Sequence, residues 1–230
     1  MAKNIIFTNT SGHPEIDPPI PASKLIPEWY KDTESYMGGS RKPFGNWVTS
    51  GTIKRCVPVF DAITSGYLIT LPADIYISQK DGAPWYEWSN FDLLQFHLVE
   101  QALNYPTRNG MPQYPKFVNH WSIETPRGYS CMFVQPLHRE SVFTILAGVV
   151  DTDTYTAPVN FPFVLNDPKF EGLIPCGTPI VQVIPFKRDG WASTLGDDIQ
   201  LQKVNSLTKV LRKSFFDSYK TRYWFKKEYK

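Results

Sequence analysis

Phe143 to Phe186 reads FTILAGVVDTDTYTAPVNFPFVLNDPKFEGLIPCGTPIVQVIPF. Three apolar runs stand in it: Val142 to Val150, Phe161 to Leu165 and Pro179 to Phe186. They are rich in β-branched and aromatic residues, and turn signals separate them at short intervals, which is the pattern of strands rather than helices. The pattern continues upstream. Thr52 to Val57 alternates, Tyr67 to Leu71 ends at Pro72, Ile75 to Ser78 ends near Asp81-Gly82, and Phe133-Val134 is a further apolar pair. Residues 51 to 196 are therefore expected to form a mainly β core, a sandwich, barrel or compact β roll. Asn90 to Tyr105 (NFDLLQFHLVEQALNY) has a helical period within that core, with part of it open to a loop reading.

The two ends read differently. Residues 1 to 50 are punctuated by Pro14, Pro18, Pro19, Pro21 and Pro27, then by Gly38-Gly39 and Gly45. They predict an extended arm anchored by Trp29, Tyr30, Tyr36, Phe44 and Trp47. A short helix is expected only within Ala22 to Tyr36, with Ser23 as a cap and Pro27 near its first turn. Residues 197 to 230 predict an amphipathic basic helix to about residue 225. Asp197 and Asp198 stand at its start, where acids suit the dipole. Ile199, Val204, Leu207, Val210, Leu211 and Phe215 form its apolar stripe, and Trp224 and Phe225 extend it.

Composition narrows the class. The chain has 230 residues, 42% hydrophobic and 20% charged, which excludes intrinsic disorder. Its 20 prolines leave few places for long helices. Three cysteines (Cys56, Cys131, Cys176) without CxxC spacing argue against a disulfide framework or a cysteine zinc site. No apolar stretch spans a membrane, and the start lacks a secretory apolar region, so a cytoplasmic site or a particle assembled there is expected. The net charge of +2 conceals an asymmetry. Residues 201 to 230 hold nine Lys/Arg and two acids, a local +7, leaving −5 on the other 200 residues. Such a tail suits an acidic partner surface or nucleic acid, or is simply a solvated helix face.

Ala147-Gly148-Val149-Val150-Asp151, the run ending at Leu165-Asn166, and Gly177-Thr178-Pro179-Ile180-Val181-Gln182 follow one another in a distinctive order. Together they resemble the trimeric dUTPase and dCTP deaminase superfamily, with its G-[VI]-[VI]-D motif, strand ending in Asn, and G-x-x-[IV]-[AV]-Q. The likeness covers about 45 residues well. It extends more thinly to Ala62 to Tyr67, Pro126-Arg127-Gly128 and Arg188 to Gly196, the last resembling the family's phosphate-closing segment. The resemblance implies a β-clip fold, a homotrimer and a nucleotide site. In that site Asp151 lies against the sugar and activates water, Tyr155 stacks under the deoxyribose, and Gln182 stands near the phosphates. Arg139 and Ser141 would supply the phosphate motif, and Arg188, Ser193 and Thr194 would close over the terminal phosphates. Mg²⁺ is the implied cofactor of an active member; no protein-borne metal site is expected.

The chain departs from this pattern at several points. Tyr155 follows Asp151 by four residues where the family has three, Glu140 separates Arg139 from Ser141, Pro179 removes a backbone donor, and Trp191-Ala192 replace glycines. Structural readings stand beside the functional ones: Asp151 as an Asx turn or strand-end cap, Gln182 as a contact satisfying buried backbone. His13, His97, His120 and His138 are scattered without metal-ligand spacing. Two functions follow. One is an assembly or binding module, phage structural or virion-associated in character, with a degenerate nucleotide site; residues 1 to 50 and 197 to 230 would dock on neighbouring subunits. The other is an active Mg²⁺-dependent dUTP or dCTP pyrophosphatase or deaminase. No membrane partner is expected, and nucleic-acid binding by the basic tail is left open.

Overall fold

Ile75 and Ile77 are fully buried while Tyr76 between them is exposed, the two-residue alternation of a strand with one face on a core. The computed structural model describes residues 3–44, 48–102, 113–213 and 218–230. Its strands, in chain order, are β1 (Ile6–Asn9), β2 (Ile20–Pro21), β3 (Pro43–Phe44), β4 (Val48–Thr49), β5 (Tyr67–Thr70), β6 (Ile75–Lys80), β7 (Ala83–Trp88), β8 (Leu94–Leu98), β9 (Gln113–Phe117), β10 (Trp121–Glu124), β11 (Tyr129–Val134), β12 (Phe143–Ile145), β13 (Gly148–Val150), β14 (Phe161–Leu165), β15 (Gly172–Ile174) and β16 (Pro179–Lys187). The α-helices are α1 (Glu28–Asp32), α2 (Val57–Thr64), α3 (Asp198–Lys213) and α4 (Ser218–Arg222). The fold is mainly β, with antiparallel pairing throughout the named sheets.

The chain divides into two compact units: residues 1–25 with 65–188 and 229, and residues 26–64 with 189–228 and 230. This division differs from boundaries at 50 and 196. The first 25 residues belong with the β core because β1 pairs with β10 and β2 with β5.

In the first unit a five-stranded sheet has the order β13-β11-β16-β5-β2, a four-stranded sheet β12-β14-β9-β8, and a three-stranded sheet β15-β6-β7. All contribute to one buried cluster. At its centre Phe117 stacks on Phe163 at 4.1 Å, with Phe143 edge-on to Phe117 at 4.9 Å. Phe133 of the five-stranded sheet meets Phe161 of the four-stranded sheet at 5.7 Å. Aromatic pairs of this kind add about 1 kcal/mol each beyond burial, so this triad is a major source of the unit's cohesion. Val142 to Val150 breaks into β12 and β13, which join different sheets.

Three expectations need correction. Thr52 to Val57 is no strand: a 3₁₀ turn at Ile53–Arg55 leads directly into α2. The Thr52 hydroxyl accepts from the Lys54 N–H at 3.3 Å, and Pro58 sits in the first turn of α2, where its missing N–H costs nothing. Asn90 to Tyr105 is not mainly helical: Leu94–Leu98 is β8, paired with β9 from Leu94↔Phe117 to Leu98↔Gln113, and only Val99–Ala102 turns as 3₁₀. Sheet pairing overrides a helical period here. Its last residues, 103–105, lie outside the described residues, as do Gly45, Trp47 and Phe215. In the arm the helix shrinks to Ala22–Lys24 as 3₁₀ and Glu28–Asp32 as α1; Pro27, not Ser23, precedes α1, with extended ψ of 142°.

In the second unit β3 and β4 pair antiparallel, and the Tyr30 hydroxyl of α1 donates to the Lys54 carbonyl at 3.0 Å. The helix expected from residue 197 is present as α3. Asp197 caps it: its Oδ1 accepts from the N–H groups of Ile199 (2.9 Å) and Gln200 (3.1 Å). Gln200 Oε1 accepts in return from the Asp197 N–H at 3.0 Å, a reciprocal capping box. Among the described residues no helix is long and apolar enough to cross a membrane.

Candidate functional site

After Val150 the chain leaves β13 and turns. The N–H groups of Thr154 and Tyr155 both donate to the Asp151 carbonyl, at 3.0 and 2.9 Å. This single helical turn puts Tyr155 one turn along from Asp151, so a spacing of four brings both side chains to one face. Both line an open cavity of about 640 Å³ with His97 of β8, Lys116 of β9 and Asn160 before β14. Val149, Val150, Pro158, Val159 and Pro162 form its apolar part. Asn160 is held by its neighbours: its Oδ1 accepts from the Asn119 N–H at 3.0 Å.

Asp151 is built into the sheet behind it. The fully buried Ser130 donates to Asp151 Oδ1 at 2.6 Å, and Arg188 Nη1 stands 3.1 Å from the same oxygen. Arg188 forks onto Asp153, Nη1 to Oδ1 at 2.7 Å and Nη2 to Oδ2 at 2.5 Å, and the Gly128 N–H donates to Asp153 Oδ2 at 2.8 Å. The Asp153 side chain is 1% exposed, that of Asp151 61%. The Ser130 hydroxyl and then Arg188 hold the Asp151 carboxyl below its ordinary range. Arg188 and the Gly128 N–H bring Asp153 down to about 2. A carboxylate so stabilised is a poor proton acceptor near neutrality, because efficient general bases titrate near the working pH. The cavity therefore offers a fixed negative acceptor beside an ammonium, an imidazole and a phenol. That set has the chemistry to suit a polar ligand.

This pair makes a pH prediction. Both folded values lie below the ordinary 3.8, so the stabilisation is complete above that value and is lost as pH falls toward 2. The urea midpoint of the wild type is expected to drop between about pH 4 and pH 2, and less steeply in Asp153→Asn. An equal acid loss in both proteins would show that the pair contributes nothing.

The other expected site residues lie elsewhere. Gln182 is fully buried in the middle of β16, where its Oε1 accepts from the Leu137 N–H at 2.9 Å and its Nε2 donates to the Ser65 carbonyl at 2.6 Å. Arg139 donates through Nη2 to the Leu25 carbonyl; burial lowers its pKa, and its Nε is buried without a hydrogen-bond partner. Ser141 Oγ accepts from the Phe143 N–H at 3.2 Å, and its carbonyl accepts from Asn166 Nδ2 at 2.7 Å. Ser193 and Thr194 are exposed and belong to the second unit. The geometry thus gathers Asp151, Tyr155 and Arg188, and places Gln182, Arg139 and Ser141 in backbone-satisfying roles. The helical period of Asn90 to Tyr105 conceals the strand that carries His97, and Lys116 reaches the cavity only through the pairing of β9 with β8.

Among the described residues no three His, Cys, Asp or Glu side chains converge as a metal site. Asp151 and Asp153 are engaged by Arg188, so these carboxylates do not fit a resident Mg²⁺. The three cysteines are free. No protein-family model matches the chain, and no curated protein matches it.

Proposed function

We propose that the protein is an assembly subunit, a dUTPase-like β-clip body forming homotrimers, whose nucleotide site is degenerate and whose helix α3 docks on neighbouring copies. One observation carries this reading. Ile199, Leu201, Val204, Leu207, Val210 and Leu211 of α3 are each 37% to 61% exposed. A helix of 16 residues with several β-branched and polar residues is marginal in water without a covered apolar face. Its cap is complete, so what it needs is packing. Charge favours a second copy as the cover: the last 30 residues carry +7 and the rest of the chain −5. The engagement of Arg188 by Asp153 and of Gln182 by backbone supports a site that no longer holds phosphates.

The double variant Leu207→Asp/Leu211→Asp is expected to reduce the oligomer to monomers in sedimentation velocity, with the β-sheet circular dichroism unchanged. An unaltered oligomer would remove α3 from the interface.

The convergence of Asp151 and Tyr155 on one cavity favours a second reading, a deoxynucleotide pyrophosphatase. Pyrophosphate release from dUTP or dCTP with Mg²⁺, lost in Asp151→Asn, would establish it in place of the degenerate site.

A further inference from the structure

The second unit contains a cavity of its own. It measures about 290 Å³ and is lined by the aromatics Tyr30, Phe60 and Trp224, by the cations Lys54, Arg55 and Lys220, and by Ser35 and Val57. Among the described residues no acidic side chain lines it. Lys54 and Lys220 bring two ammonium groups to one small cavity, and a bound anion offsets their mutual repulsion.

The aromatic walls are fixed in place. Trp224 Nε1 donates to both oxygens of Asp61, at 3.1 and 2.9 Å, and Lys227 Nζ binds Asp61 Oδ2 at 2.6 Å, so the carboxylate that orients the indole is itself neutralised. Tyr30 is 6% exposed, its hydroxyl is tied to the Lys54 carbonyl, and its ring lies 6.0 Å from that of Phe60 at 31°. Phe60 stays 36% exposed and Trp224 is half-buried, and both line the cavity. Lys54 Nζ donates to the Lys31 carbonyl at 2.6 Å, a neutral partner that leaves its charge uncompensated. The Arg55 guanidinium lies 5.2 Å over the Tyr36 ring.

We infer that this cavity binds one nucleotide unit, its phosphate held by Lys54, Arg55 and Lys220 and its base against Phe60 and Trp224. Cations supply charge-assisted hydrogen bonds to phosphate oxygens, and aromatic faces accept any base by stacking. The volume suits a single nucleotide and not a dinucleotide, since drug-sized pockets begin at about 300 Å³. The unit belongs either to a free mononucleotide or to a single strand. This site is independent of the roles assigned to Asp151 and α3.

Calorimetric titration of the full chain at low salt with uridine monophosphate, uridine, inorganic phosphate and a short oligothymidylate tests it. Uridine monophosphate is expected to bind at least about tenfold more tightly than uridine or phosphate alone, because each lacks half the contacts. Lys220→Gln, an exposed position, is expected to weaken it about tenfold while leaving the melting temperature unchanged; Lys54→Gln is the second variant. Oligothymidylate binding more tightly than the mononucleotide assigns the unit to a strand. Weaker or equal binding assigns it to a free nucleotide. No heat from uridine monophosphate or oligothymidylate at millimolar concentration, or binding indifferent to both substitutions, overturns the inference.

Discussion

Gly66→Ala is expected to cost the protein about 4 kcal/mol, a Tm lower by roughly 8–16 °C. Gly66 has φ +67°, a conformation that alanine resists. The larger obstacle is space. A Cβ at this position would lie 1.9 Å from the Val183 carbonyl oxygen and 2.9 Å from its carbon. Those atoms are the backbone of β16, which is held on one side by β5 through Tyr67↔Val183 and on the other by β11 through Phe133↔Val183. The central strand of a five-stranded sheet has nowhere to move. The Gly66 carbonyl also accepts from the N–H of Ala22, which is fully buried, so a shift of Gly66 would pull on β2 as well. Gly12→Ala is the internal comparison. Gly12 has φ +76° with nothing within 4 Å of the added carbon, so only the conformational cost of about 1 kcal/mol applies. Thermal unfolding of both variants checks the argument; similar losses in the two would refute the role given to the β16 backbone.

Gln182→Ala is expected to destabilise by about 3 kcal/mol whether or not the protein binds nucleotide. The side chain is fully buried and links two segments far from it in sequence, Leu137 on one side and Ser65 on the other. Truncation leaves an N–H and a C=O without these partners and opens a small void; both terms act against the folded state. Gln182→Leu restores the volume but not the hydrogen bonds, so it is expected to recover only part of the loss. A phosphate-contacting glutamine would behave in the opposite way, with affinity falling and stability held. Urea unfolding and dUTP titration on the same preparation separate the two.

Much of the architecture was legible because its signals are local. Turn residues bound Tyr67–Thr70, Ile75–Lys80, Phe161–Leu165 and Pro179–Lys187, and each is a strand. Asp197 announced the start of α3 and caps it. The failures came where a tertiary partner decides. Leu94–Leu98 takes its conformation from pairing with Gln113–Phe117, which no short window contains. Thr52 to Val57 alternates, yet Thr52 and Pro58 act as helix-start residues, a reading that alternation masked. The candidate site divided in the same way. Asp151 and Tyr155, which the resemblance paired, sit one local turn apart, and that turn brings them to one cavity despite the four-residue spacing. His97 and Lys116 reach the cavity only through sheet register, and Arg188 meets Asp153 across 35 residues of chain. The cavity of Tyr30, Phe60 and Trp224 joins segments nearly 200 residues apart, and its basic-aromatic tail was visible without the wall that completes it.

Sedimentation equilibrium of the wild-type chain over a range of concentrations tests assembly through α3. The expected mass is three times the 26.4 kDa chain, falling to a single chain in Leu207→Asp/Leu211→Asp. A wild-type mass of 26.4 kDa at every concentration would contradict it, and the apolar stripe of α3 would then have no copy of this chain as its cover.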